Sequence, residues 1–491
     1  MSRATGDFGT ESFEGIANGR PDKLGTNGGS RSAVSGVHTG HMSGGLLTDL
    51  YELTMAASYL RRKMTGSATF SLFVRDLPPN RGFLVAAGLS DCLDWLAQFW
   101  FSPTDLDYLA GIGFDDRTLA SFASMRFGGD VWAVGDGRIV FANEPILEVT
   151  APIVQAQLVE TYLLNQVSFQ TTMATKAARC RIAAADRIEL VDFAFRRAQG
   201  IEAGLAVARL SAMVGFAATS NVEAARRYGL RPAGTMAHSY IEAFPTELDA
   251  FHAFAADQPE RATFLVDTYD TLGGVAHAID VIRRLGLQRH AGIRLDSGDL
   301  ALLAIDARRM LDEAGLPEVR IVVSGGLDEH DLATFVSRSV PIDAAGIGTR
   351  MGVSADAPYL DSAYKLVAYD SRPVAKLSTG KATMPGPKQI FRGDGLRDVI
   401  ACRDEPAPAG TGPLLEPVML AGRRLGAVED VCAGRARFEA DLVELPEDVS
   451  DLCFPVTPVA AISPRLDRLT TDVQNAAHGL AGPVGRHSNG R

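Results

Sequence analysis

The spacing of apolar residues divides this chain into stretches of different character. Up to residue 45 there is no period at all: the segment is rich in Gly, Ser, Thr and Asn, and such a segment cannot bury enough surface to offset the entropy of ordering it. Residues 1–45 are expected to be a disordered tail, and Met42, directly before the first organised segment, is a candidate start of translation. At Leu46 the pattern changes. LLTDLYELTMAASYLRR sets Leu50, Leu53, Thr54 and Ala57 on one helical face, with Thr48 or Asp49 as N-cap. Residues 68–74 alternate as a strand, 84–99 read as a helix, and 145–151 follow a strand and turn series that begins at Val131. Residues 155–181 read as one or two long helices with Leu158, Tyr162, Leu163 and Val167 on the apolar face. Residues 46–181 are thus expected to form a mixed N-terminal domain with connecting helices.

A regular section follows. Short apolar runs recur at 189–193, 215–219, 233–237, 263–267, 292–296, 319–324 and 343–348, most of them separated by helical segments such as 200–213, 246–256, 274–285 and 300–314. Strands alternating with helices at this spacing argue for parallel β/α units, and seven runs in series suggest a barrel over 182–362. After Tyr364 the text alternates like antiparallel strands and carries Lys376, Lys381 and Lys388. Residues 363–460 are expected to rejoin the N-terminal domain, and 461–491, polar and Gly-rich from Arg465 on, to form a flexible tail.

Composition narrows the class. With 491 residues, 46% hydrophobic and only 7% aromatic, the chain suits a large α/β enzyme with flanking domains. A net charge of −11 argues against a nucleic-acid partner, which needs clustered Lys and Arg over an extended face. Five cysteines without CxxC spacing fit reduced thiols in the cytoplasm and imply no structural zinc. No apolar run is long enough for a membrane helix, and no secretory pattern opens the chain.

In a β/α barrel the chemistry lies at the C-terminal ends of the strands, and every strand-like run here ends in polar residues. They are Asp192, Phe193 and Arg196; Thr219, Ser220 and Asn221; Thr235 and His238; Asp267 and Thr268; Arg294, Asp296 and Ser297; then Ser324-Gly325-Gly326 and Gly346-Ile347-Gly348-Thr349. The two Gly-rich turns, at consecutive strands, suit a phosphate held by backbone N–H groups. Alternation sets Arg294 and Asp296 on one side of a strand, where the guanidinium fits a carboxylate or phosphate and Asp296 a ribose hydroxyl or a magnesium shell. Phe193 offers a face for a flat heterocycle, and Arg196 and Arg197 offer charge for a phosphate. As bland alternatives, the glycines serve tight turns, Arg294 and Asp296 cap the next helix as an ion pair, and His238 is a surface histidine.

The residues resemble the nicotinate phosphoribosyltransferase family, within the nicotinate and nicotinamide group. The resemblance is carried by TDLYELTM, EPILEV, QLVETYLLN, ATKAAR, DFAFRRAQG, GTMAHSYIEAF, IRLDSGDL, SGGLD, GIGTRM and KATMPGPKQIFR, in the family's order between Leu46 and about residue 392. Ala194 stands where the family's DFGxRR usually has glycine, and Pro387 interrupts a commonly basic stretch. The resemblance implies an irregular β/α barrel of the type II phosphoribosyltransferase kind, plus a mixed α+β domain built from both chain ends. It implies transfer of phosphoribose from PRPP to nicotinate, giving nicotinate mononucleotide and pyrophosphate for NAD synthesis, with Mg²⁺ present and ATP as a co-substrate. It further implies a phosphohistidine at His238, nicotinate contacts at Tyr51, Phe193, Thr235 and Arg294, and a phosphoribosyl contact at Thr349. The family's dimer, with Tyr51 reaching into the partner's site, comes with it. Rival readings are a nicotinamide or quinolinate phosphoribosyltransferase, a phosphate-binding barrel lyase or isomerase with Asp296 or Asp267 as base, and a binding protein without activity.

Overall fold

The structure, a computed structural model, describes residues 43–378 and 382–480; Met42 and the rest of the expected tail up to it, and Lys381, lie outside the described residues. Residues 43–45 are not tail. Gly44–Leu46 forms a 3-10 turn, and the Gly45 N–H donates to the Trp100 carbonyl at 3.0 Å. A Cβ on Gly44 or Gly45 would stand 2.4 Å from Trp95 or 2.5 Å from Phe101. Here glycine lets backbone lie flat on aromatic rings, a use that composition alone cannot reveal.

The helix Leu50–Arg61 follows, with Asp49 as N-cap residue. It buries Glu52, Leu53, Ala56 and Ala57, whereas Leu50 and Thr54 are exposed, so the expected face is rotated. The cause is polar: Glu52 accepts from the Thr161 hydroxyl at 2.6 Å and from its N–H at 3.1 Å. The strand Ser67–Val74 is buried at every position after Ser67 and has both edges paired, lying between Pro145–Pro152 and Ser362–Tyr369, antiparallel to each. The expected helix over 84–99 opens instead as a short strand, Leu84–Val85; Gly88 at φ +100° breaks the run, and the helix is Leu89–Ala97. Leu415–Leu420 pairs with Asp130–Val134, so strands from the C-terminal segment complete a seven-stranded sheet begun by N-terminal ones.

The regular section builds a six-stranded parallel sheet. Its order in space is Ala218–Thr219, Glu189–Asp192, Ala344–Ile347, Arg320–Val323, Gly292–Leu295, Thr263–Leu265. Phe264, Ile293, Leu295, Ile321, Val323, Ala345 and Ile347 make its fully buried interior. The run 233–237 is not a strand. It falls in sequence between the two strands at opposite edges of the sheet, but among the described residues its ladder contact is confined to its start, where the bridge of Pro232 to Thr219 has the Ala233 N–H donating to the Thr219 carbonyl at 2.8 Å, and only Met236 in it is buried.

The expected flexible end differs over 461–480, whereas residues 481–491 lie outside the described residues. Ala461–Ile462 pairs with Arg397–Cys402, and Pro464–Leu480 is helical. Leu466 is fully buried against Ile400 and Cys402, and Ser463 donates to Glu405 at 2.7 Å. Leu469 packs beside Leu466, and Arg465 pairs with Asp404 at 2.8 Å, so a mostly polar helix docks through a few contacts. No helix among the described residues is long and apolar enough to cross a membrane.

A buried ionic cluster joins the long helix Glu160–Ala184 to the helix Glu329–Ser337. Lys176 Nζ lies 2.6 Å from Glu329 and 2.7 Å from Asp356, Arg179 Nε donates to Glu329 at 2.9 Å, and Arg179 Nη2 donates to the Leu452 carbonyl at 2.8 Å. Burial raises the Glu329 carboxyl, but Lys176 and Arg179 outweigh it and hold the group below the usual range. Glu329→Gln leaves buried Arg179 without a carboxylate and Lys176 with Asp356 alone, so a loss of about 3–5 kcal/mol is expected, read as a lower denaturant midpoint; an unchanged midpoint would mean that water already screens the cluster.

Candidate active site

The C-terminal ends of the parallel strands enclose a cavity of 470 Å³. Larger clefts of 750 and 810 Å³ are lined by other parts of the chain, and none of the strand-end residues singled out above lies in them. Phe193, Arg196, Thr235, His238, Arg294 and Asp296 all line the 470 Å³ cavity. So do both glycine-rich turns, through Ser324, Gly325 and Gly326 and through Gly346, Gly348 and Thr349. Tyr51 does not; it is 46% exposed on its helix, where burial, Glu160 and Glu52 together raise its hydroxyl's pKa.

Arg294 organises the floor. Its Nε donates to Ser324 Oγ at 2.8 Å, Nη2 to Asp296 Oδ1 at 2.7 Å, and Nη1 more loosely to Thr235 Oγ1 at 3.3 Å and the Met236 carbonyl at 3.4 Å. The guanidinium also stands over the Phe193 ring, 5.4 Å from its centroid, a distance at which a cation is attracted to an aromatic face. Burial pushes the Asp296 carboxyl up, but the Ser324 hydroxyl, Arg294 and the nearby His238 outweigh it and hold it below the usual range. Asp296 is therefore an anion here, poorly suited to act as a general base. Asp267 supports it from behind: its Oδ2 accepts from the Asp296 N–H at 3.0 Å and the Ser297 hydroxyl at 2.6 Å, while Oδ1 is buried without a partner.

The glycines divide by purpose. A Cβ on Gly346 would stand 2.5 Å from the Phe193 ring, so that glycine makes room for the aromatic. Gly325, at φ +107°, passes so close to the Asp296 carbonyl that a Cβ would lie 2.0 Å from it. Gly326, at φ +73°, has open space around it. The Ser324 hydroxyl is already shared between Arg294 and Asp296. Ala194, in place of the family's glycine, sits at φ −81°, a backbone any residue adopts, and its methyl rests where Gly352 has no side chain.

His238 opens the short helix His238–Glu242, and its Nδ1 lies 3.1 Å from Thr268 Oγ1. That contact fixes the ring's rotation. Arg196 and Arg197 are exposed in a 3-10 turn and have no acidic partner among the described residues. Sequence reasoning placed Thr268 at a strand end but gave it no role, and it passed over Asp267 as a brace; the signal was a strand-end Asp-Thr pair in line with Arg294 and Asp296.

Residues 46–168 match the nicotinate phosphoribosyltransferase N-terminal domain, and residues 188–378 match the nicotinate phosphoribosyltransferase family. A nicotinate phosphoribosyltransferase of Mycobacterium tuberculosis is 48% identical over 388 residues, covering 78% of this chain and 83% of that one. The human nicotinate phosphoribosyltransferase is 31% identical over 517 residues, covering 87% and 96%. The crystal structure of human nicotinic acid phosphoribosyltransferase matches with a TM-score of 0.78 at 29% identity, over 87% of this chain and 100% of that one. The fold is also that of nicotinate-nucleotide pyrophosphorylase from Pyrococcus furiosus, with a TM-score of 0.68 at 23% identity over 82% and 95%. By the extent of these matches, the chain belongs to the nicotinate phosphoribosyltransferase family.

Proposed function

We propose that this chain transfers the phosphoribosyl group of PRPP to nicotinate in NAD biosynthesis, forming nicotinate mononucleotide and pyrophosphate. The observation that carries the reading is Phe193 and Arg294 side by side in one cavity: an aromatic ring with a guanidinium 5.4 Å from its centroid, and the Thr235 hydroxyl 3.3 Å from the same guanidinium. A flat ring bearing a carboxylate fits that combination, since the ring stacks and the carboxylate meets a planar donor fork. The pyridine nitrogen then attacks C1 of the ribose; the N–C1 bond forms, the C1–O bond breaks, and pyrophosphate leaves with the electron pair. Fixing both substrates in line supplies much of the rate. Arg196, the Gly325-Gly326 turn, and Gly348 with Thr349 are the groups that bind the phosphates.

Among the described residues no group of three or more His, Cys, Asp or Glu is disposed to hold a metal. Magnesium usually keeps water and substrate phosphate as ligands, so a single carboxylate suffices; Asp267, whose Oδ1 is unpartnered, and Asp296 fit that part. Bound there, the ion would neutralise charge on the leaving group. His238 is the phosphohistidine of an ATP-coupled cycle, supported by its place in the cavity and its anchor on Thr268.

We further infer an irregular barrel in which the segment 233–237 closes the gap without a full ladder, and a homodimer whose sites each take Tyr51 from the partner. The solvent-exposed Leu47, Leu50 and Tyr51 support that interface. Five free cysteines support a reducing compartment such as the cytoplasm.

Incubation with PRPP, ATP, Mg²⁺ and each pyridine in turn tests the reading: mononucleotide is expected from nicotinate in preference to nicotinamide or quinolinate. In the same assay Arg294→Ala should cost roughly 2–5 kcal/mol in nicotinate binding, with Arg294→Lys a poor rescue; an equal loss of ATP affinity would reduce Arg294 to a structural ion pair. His238→Ala is expected to abolish ATP stimulation while a weak PRPP-dependent transfer persists, and undiminished ATP dependence would remove the phosphohistidine from the scheme. Mixing a His238 and Arg294 double mutant with Tyr51→Ala should restore nicotinate affinity in one of the two sites of each hybrid dimer. No recovery after verified subunit exchange would assign Tyr51 to its own chain.

A further inference from the structure

Asp192 ends the strand Glu189–Asp192, directly before Phe193, with 1% of its surface exposed. A carboxylate so placed is costly unless both oxygens find donors. They do: Oδ1 accepts from the Ala194 N–H at 2.9 Å and Oδ2 from the Thr219 hydroxyl at 2.7 Å. The Thr219 oxygen in turn accepts from the Asn221 N–H at 3.0 Å, and the Ser220 N–H donates to the Asp192 carbonyl at 2.8 Å. One carboxylate thus ties the turn beyond Phe193 to the end of the neighbouring strand Ala218–Thr219. Neither Asp192 nor Thr219 lines the cavity.

Phe193 has little freedom on its other sides. Its N–H donates to the Ile347 carbonyl at 2.8 Å, and its ring fills the space left by Gly346. Arg294 stands above the ring. We propose that Asp192 and Thr219 are positioning residues for the base-binding slot, setting the height and tilt of the Phe193 ring beneath Arg294. The proposal rests on the reading of Phe193 as the face that receives the heteroaromatic ring. Removing the Thr219 hydroxyl strands a buried carboxylate oxygen and the Asn221 N–H together, and the nearest relief is a shift of the 193–194 turn. The run toward His238 is tied to Thr219 only through main-chain bonds, Thr219 N–H to the Arg231 carbonyl and Ala233 N–H to the Thr219 carbonyl, which loss of the hydroxyl leaves intact, and Arg294 and Ser324 keep their own bonds. Base binding therefore suffers while the phosphate side does not.

Thr219→Val, close to isosteric, tests this. The nicotinate KM should rise about tenfold, the scale of one buried hydrogen bond and its stranded partner, while kcat and the PRPP KM change less than about twofold. Thr219→Ser, which keeps the hydroxyl, should return the nicotinate KM to near the wild-type value. If Thr219→Val does not fold, Thr219→Ala removes the same hydroxyl at smaller volume and carries the same expectation. A folded variant with an unchanged nicotinate KM, or with kcat and both KM values altered alike, overturns the proposal and leaves the pair as ordinary structure. A wild-type enzyme that does not use nicotinate at all would instead remove the functional reading on which the proposal rests.

Discussion

The guanidinium of Arg294 is the constraint on which the site depends. It reaches groups that follow or lie within three separate segments: Thr235 and Met236 in the irregular run, Asp296 two residues along its own strand, and Ser324 at the next strand's end. A lysine cannot do this, because its ammonium lacks the planar, divergent donors that let one group face several directions at once. The run 233–237, which has almost no ladder of its own, is tied to the sheet at its start by the Ala233 N–H on the Thr219 carbonyl at 2.8 Å and touches Arg294 only through long bonds. The same group thus links these segments and presents charge to the cavity.

Such an arrangement works because its opposing charges differ in how they are held. Asp296 is tied down by Arg294 and by the Ser324 hydroxyl, whereas Nη1 makes only long bonds, at 3.3 and 3.4 Å. A ligand carboxylate can take over the long bonds without disturbing the short ones. Preorganisation of this sort keeps the cost of ordering low when the ligand arrives.

Much of this was legible in the sequence, for a physical reason. Parallel strands buried on both faces read as short apolar runs, and polar residues at their ends have nowhere to go but the mouth of the sheet, so Phe193, His238, Arg294 and Asp296 were visible as a set. What stayed hidden depends on partners distant in sequence. The strand expected at 233–237 does not form; the chain leaves the sheet after the Ala233 N–H meets the Thr219 carbonyl. The helix Pro464–Leu480 docks through Leu466 onto Ile400 and Cys402, contacts that no local period announces. Glu52 is buried because Thr161 satisfies it, which rotates a helix whose apolar pattern pointed elsewhere. Gly346 read as a phosphate turn, and in the structure it yields its space to Phe193.

The strand Ser67–Val74 has one neighbour, Pro145–Pro152, that follows soon after it, and another, Ser362–Tyr369, that comes almost three hundred residues later, with Phe70 opposite Leu366. During synthesis its second edge must wait, unpaired and apolar, while the entire parallel sheet emerges and folds. Unpaired edges of this kind invite association with other chains. The order of the chain therefore makes the nascent polypeptide most vulnerable in the interval when its catalytic half is already shaped, and Ser362–Tyr369, the first strand to emerge after that half, acts as the stopper that ends it.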